Sequence, residues 1–217
     1  MSETAAVEPL ARTSVVDTLT DALRSRILAG ELEPGAALRE EELSRSYDVS
    51  RHTLRASLRT LASEGLVRLV PNRGATVATL DRDGLVPLFE LRTALELEAC
   101  RLALARHGGR LPPDVHDALE ALVRACRPPS AGWAEVAAAH AAFHESIVRG
   151  AESARIEEAY GRLAAELNLF LVQLRPVWPM RRMIEHHRAL VEELEATGDV
   201  EALRRHLDDG LAAVSAG

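Results

Sequence analysis

Lysine is missing from this chain: all 26 basic residues are arginine, set against 33 acids for a formal net charge of −7. That balance argues against a protein that coats nucleic acid indiscriminately, since an acidic molecule is repelled by phosphate. Cysteine is scarce as well. Cys100 and Cys126 have neither zinc-finger nor redox spacing, and both lie on helix faces where buried, reduced thiols are expected. Aromatic residues make up only 3% of the chain, whereas 47% of it is hydrophobic, ample for a packed core. No apolar run is long enough to span a bilayer and no signal peptide is visible, so a cytoplasmic protein with no membrane contact is expected. There is no internal repeat, and no low-complexity tract beyond the N-terminal tail.

What is present is unevenly distributed. The 217 residues leave room for two modest domains or one large one. Residues 1–80 hold ten arginines against eleven acids, a net −1, and residues 81–217 hold sixteen against twenty-two, a net −6. Between Arg51 and Arg73, five arginines face one glutamate, a local +4. A small basic patch on an acidic protein suits specific DNA recognition, in which phosphate contacts supply affinity and base contacts discriminate.

The patch sits in a stretch, Glu40 to Thr79, whose local signals agree. Glu40, Glu41 and Glu42 open a short helix at its positive dipole end. That helix stops at Tyr47-Asp48, Ser50 stands as the N-cap of the next, and Val49 and Leu54 have the spacing of a hydrophobic staple. Leu54, Leu58 and Leu61 form an inward stripe, while Arg51, His52, Arg55 and Arg59 occupy the other side. Gly65 ends the helix, and two β-prone runs, Leu66 to Val70 and Ala75 to Thr79, flank the turn Pro71-Asn72-Arg73-Gly74. Arginines along one helix are more often a solvated face. Here the cap, the preceding helix, the hairpin and the tip arginine all point to a winged helix-turn-helix, whose second helix enters the major groove. Val16, Leu19, Leu23 and Ile27 predict a helix over Val15 to Leu28 ahead of it, and residues 1–12 read as a disordered tail.

The run VSRHTLRASLRTLASEGLV followed by NRGATV, with ILAGELEPGAALREEELS upstream, resembles the amino-terminal signature of the GntR family of bacterial transcriptional regulators. The resemblance implies contacts from Arg51, His52 and Arg55 to operator bases and phosphates, with Arg39 and Arg73 at phosphates or in a groove. Ser50, Thr53 and Arg59 complete the candidate DNA-binding set. Some members carry a basic residue where Glu41 stands.

From Asp81 the pattern is helical throughout. Six helices are predicted, over Asp83–Arg106, Asp114–Cys126, Trp133–Val148, Ser153–Leu174, Met180–Ala196 and Val200–Val214, an all-α bundle. Leu88, Leu91, Leu95 and Leu102 are expected on the apolar side of the first. Seven of the eight histidines fall in this part, and His140 and His144, at i and i+4, share a helix face. Grouped imidazoles suit a divalent first-row metal, although a single histidine on such a helix is more often a satisfied core or surface residue. Arg92 and Glu96, also at i and i+4, make either an ion pair or a pocket-facing guanidinium that meets a carboxylate.

ELRTALELEA, FHESI, HRAL and the His206-Leu207 pair resemble the all-α FCD effector-binding domain, which partners the FadR branch of the GntR family. Its metal-binding members hold a divalent ion with three histidines and one aspartate on three helices. The resemblance places those histidines at His144, His187 and His206, with His140 where the aspartate stands. The His187–His206 interval is shorter than usual by about one turn, which shifts a ligand roughly 5 Å along the axis. His186 is expected to be a bystander, because adjacent helical residues point about 100° apart. Four neutral imidazoles leave the ion's charge uncompensated, favouring an anionic ligand.

The resulting expectation is a mostly α protein. Residues 1–12 are a tail, 13–80 a winged helix-turn-helix, and 81–217 an all-α six-helix effector-binding and dimerisation domain. It is not an enzyme. It acts as a homodimeric repressor on palindromic operator DNA, modulated by a small carboxylate that binds near Arg92 beside the metal (zinc first, then nickel, manganese or iron). A direct metal sensor is the alternative. A helical metalloenzyme is a weaker one, since the Glu-x-x-His spacing of di-metal bundles is absent.

Overall fold

The computed structural model describes residues 14–70, 74–127, 132–174 and 178–215. The tail expected over residues 1–12 and the hairpin tip with Arg73 lie outside them. Helix α1 (Val15–Leu28) begins with a capping box: the Ser14 side chain accepts from the Asp17 N–H, and Asp17 accepts from the Ser14 N–H. Strand β1 (Ala37–Leu38) leads into α2 (Glu40–Ser46), and Asp48, at φ 50°, turns the chain into α3 (Arg51–Ser63). The Ser50 hydroxyl caps α3 by accepting from the Thr53 N–H at 3.1 Å. Gly65, at φ 76°, ends that region in the left-handed conformation.

Strands β2 (Val67–Val70) and β3 (Gly74–Val77) form the wing hairpin, in register Val67↔Val77 to Val70↔Gly74. Strand β1, which sequence patterning did not reveal, adds antiparallel to the far side of β3, for a sheet order β1-β3-β2. Leu23, Ile27, Leu54, Leu58, Leu61, Leu66 and Val77 are buried together beneath it. Each such leucine contributes about 1.5–3 kcal/mol relative to exposure.

Among the described residues seven helical segments follow: α4 (Arg82–Arg106), α5 (Pro113–Cys126), α6 (Trp133–Gly150), α7 (Ala154–Gly161), α8 (Ala164–Leu174), α9 (Met180–Thr197) and α10 (Glu201–Ser215). The single helix expected over Ser153–Leu174 is therefore two, broken after Gly161, a residue with poor helix propensity. Of the leucine stripe expected on α4, Leu88 is buried and Leu95 and Leu102 pack partly buried against the same cluster, but Leu91 is exposed. A second inner face carries Leu85, Phe89, Thr93, Leu97 and the charged Arg92 and Glu96. A buried ion pair on the inner face breaks the apolar periodicity that patterning relies on.

Helix α8 belongs to both halves. Its Leu169 lies in the same buried cluster as the winged-helix core, and a Cβ on Gly65 would stand 2.7 Å from Glu166 Cγ. Gln173 clasps the junction by donating to the Leu80 carbonyl at 3.0 Å and accepting from the Leu80 N–H at 2.9 Å. Cys100 and Cys126 are free and buried, and burial pushes the Cys100 thiol up to about 12. No helix among the described residues is long and apolar enough to cross a membrane.

Candidate DNA interface and imidazole pocket

The winged helix exposes the cationic face of α3. Arg51, His52, Arg55 and Arg59 are all exposed, and Thr53 is half-buried with its hydroxyl 2.9 Å from that of Ser50. Ser50 and Thr53 are thereby engaged in the helix cap. Arg39, just before α2, is exposed and pairs with Glu42 at 3.0 Å. Arg55 Nε donates to both oxygens of Glu40, at 3.0 and 2.9 Å. Arg55, Arg59, Leu69 and Gly74 line an open groove of about 630 Å³ between α3 and the wing. Glu40 acquires a role that its place at a helix start did not suggest.

In the bundle, Arg92 and Glu96 are buried and paired, Arg92 Nε donating to Glu96 Oε1 at 2.6 Å. The Tyr160 hydroxyl donates to the same oxygen at 2.7 Å, and His144 Nδ1 meets Glu96 Oε2 at 2.8 Å. Burial alone would raise the Glu96 carboxyl, but Arg92 and His144 outweigh it and hold the group well below the usual carboxylate range. An ionised carboxylate only accepts, so His144 Nδ1 carries the proton and Nε2 keeps its lone pair. His187 repeats the arrangement, with Nδ1 donating to the Met183 carbonyl at 2.7 Å. The remaining nitrogens, His144 Nε2 and His187 Nε2, are buried without a partner among the described residues, as is His206 Nδ1.

All four expected histidines come together. Ring centroids are 4.7 Å apart for His140–His144, 4.8 Å for His140–His187, 5.4 Å for His144–His206 and 4.5 Å for His187–His206. Burial holds His140, His187 and His206 well below the ordinary imidazole value, and neighbouring imidazoles add to the shift. Burial also lowers His144, although Glu96 opposes it. Neutral imidazoles with one proton fixed by a carboxylate or carbonyl, and the other nitrogen buried and unpartnered, fit a divalent metal.

His186, expected to point away, instead stacks on His206 at 4.1 Å and 17°. Arg92 forms the ion pair with Glu96, one of its two expected readings, and also lines two small chambers. One is bordered by His140, His144, Tyr160 and Asn168, the other by Trp178, His187 and His206, and each holds only about 20 Å³. Tyr160 had no local sequence signal, since its partner lies 64 positions away.

Comparison with known proteins gives this geometry a context. Residues 16–77 match the family described as bacterial regulatory proteins, gntR family, and residues 87–213 match the FCD domain. A "Probable D-xylose utilization operon transcriptional repressor" of Paenarthrobacter nicotinovorans is 33% identical over 94% of this chain and 88% of that protein. The gluconate operon transcriptional repressor of Bacillus subtilis (strain 168) is 24% identical over 86% and 79%. A crystal structure of a GntR transcriptional regulator from Rhodococcus sp. RHA1 superposes with a TM-score of 0.74 at 25% identity, covering 93% of this chain and 98% of that one. With its winged helix-turn-helix and its FCD domain both matched, the chain belongs to the GntR family of bacterial regulatory proteins.

Proposed function

We propose that this protein is a cytoplasmic transcriptional repressor of the FadR branch. As a homodimer it binds a palindromic operator, and a small organic acid held beside a divalent metal in the helical domain modulates that binding. The exposed arginines of α3 support the DNA half, since two-fold protein symmetry is matched by operator symmetry. The observation that carries the ligand half is the set of unpartnered imidazole nitrogens on His144, His187 and His206, buried among neutral rings. His140, His144, His187 and His206 are the candidate ligands for the ion. When bound, it supplies a Lewis-acidic anchor for a carboxylate.

Charge balance favours an anion there. Arg92 is neutralised by Glu96 and the imidazoles are neutral, so the positive charge of the ion stays uncompensated. The Trp178 indole N–H, buried without a partner among the described residues at the second chamber, offers a donor for such a ligand. Chambers of about 20 Å³ admit an ion or a water, whereas organic ligands occupy roughly 300–1,000 Å³. An organic effector must therefore spread α7 and α8 away from α4 and α6. Because α8 also packs on the winged helix, that movement reaches the DNA-binding half, and a ligand preferring the opened state shifts operator affinity.

The size of the chambers favours one second reading, in which the ion itself is the signal. Fluorescence anisotropy with the protein's own upstream DNA, titrated with zinc and with small carboxylic acids separately and together, tells them apart. Metal alone driving the full change in affinity selects the sensor. A change that needs the acid selects the effector reading, and no salt-resistant specific binding at all defeats both.

A further inference from the structure

The family resemblance leaves His186 outside the ligand set, yet among the described residues it belongs to one of two imidazole trios. The donor atoms of His140, His144 and His187 lie within 4.8 Å of one another, as do those of His186, His187 and His206. We infer that His186 is a metal ligand, and that His186, His187 and His206 form an outer position for the divalent ion. This outer position alternates with the inner one at His140, His144 and His187. The inference rests on the metal-binding reading above.

The two positions exclude each other because they share His187. His187 Nδ1 is committed to the Met183 carbonyl, which leaves Nε2 as its single lone pair, and one lone pair binds one ion. Two members of the outer trio, His186 and His187, have the supporting contact that a ligating histidine needs. Asp209 Oδ2 lies 3.1 Å from His186 Nε2, which places the proton on that nitrogen and leaves Nδ1 as donor. His206 Nδ1 is buried and unpartnered, and the His186 ring is held in place by stacking on His206. All five imidazoles border the same chamber of about 20 Å³, so the two positions adjoin. Tetrahedral zinc–imidazole geometry sets donors roughly 3.3 Å apart, so each trio would have to draw its donors together by up to about 1.5 Å on binding. Both sets are nitrogen only, which suits zinc, nickel, cobalt or copper better than manganese or magnesium.

Cobalt(II) titration of the full-length protein, read by visible absorption and by metal content after equilibrium dialysis, tests this. The wild type is expected to hold one ion per chain. The His140→Gln/His144→Gln variant should still hold one ion, with an altered ligand-field spectrum, and so should His186→Gln/His206→Gln. His187→Gln should lose more than about 100-fold in affinity. Circular dichroism reports whether each variant is folded. Where a double variant does not fold, His140→Gln alone carries the test, and adding His186→Gln must weaken cobalt binding about tenfold or more. Two ions per wild-type chain overturn the exclusivity. A folded His140→Gln/His144→Gln protein without cobalt, or no further loss from His186→Gln, overturns the outer position but leaves the metal reading standing. A wild type that binds no cobalt removes both.

Discussion

Glu40 holds Arg55 by its Nε alone, and neither Nη group has a hydrogen-bond partner among the described residues. The guanidinium is thus pinned at its base with its outer edge free, the arrangement that bidentate recognition of guanine requires. Glu40→Ala should raise affinity for random duplex, by removing a negative charge, while lowering preference for the operator about tenfold. Anisotropy with operator and scrambled DNA measures both, and an unchanged ratio would count against the positioning role. A second residue-scale consequence concerns Tyr160. Its hydroxyl is one of three donors on the buried Glu96, so Tyr160→Phe should cost about 1–3 kcal/mol in chemical denaturation. Glu96→Gln should cost more, about 3–5 kcal/mol, because it leaves Arg92 charged and unpaired in the core.

Helix α8 is where the two halves meet. It lines the first chamber with Leu167, Asn168 and Leu171, and it presents Leu169, Glu166 and Gln173 to the winged helix and the junction. Gln173→Ala removes both hydrogen bonds to Leu80, and we expect a loss of about 1–3 kcal/mol in stability. Operator affinity should also become less sensitive to zinc or acid. A variant whose response to ligand matches the wild type would show that coupling travels another way. Gly65→Ala combines a positive φ with a Cβ 2.7 Å from Glu166 Cγ, so it should loosen the packing of α8 against the winged helix.

For the whole molecule, buried neutral histidines make folding sensitive to acid. The folded-state values of His140, His187 and His206 lie well below the ordinary 6.5, so the unfolded chain takes up protons first as pH falls. Their contribution is present above about 6.5 and is lost progressively below it. Glu96, held low by Arg92 and His144, and Glu195, which accepts from the Leu111 N–H and pairs with His116, act in the same direction at lower pH. Denaturant midpoints of the chelator-treated protein should therefore fall steadily from pH 7 to pH 5. A flat profile would mean that the imidazoles are not neutral in the folded state.

Much of the winged helix was legible because its signals are local. The Ser50 cap, the α3 leucines and Gly65 each act within a few residues, and α1 spans the range its apolar spacing implied. The histidines were legible as a group through i,i+4 spacing and family resemblance. Their partition into two trios was not, and neither was the place of His186, because a ring's final position depends on how α9 and α10 pack. Helix–turn–helix order and the imidazole inventory thus follow from the amino-acid order alone, since short-range hydrogen bonding and hydrophobic period decide them. The Glu40–Arg55 and Tyr160–Glu96 contacts, the two-sided packing of α8 and the shared nitrogen of His187 were decided only by the tertiary structure. They join side chains far apart in the chain, and only packing sets those distances.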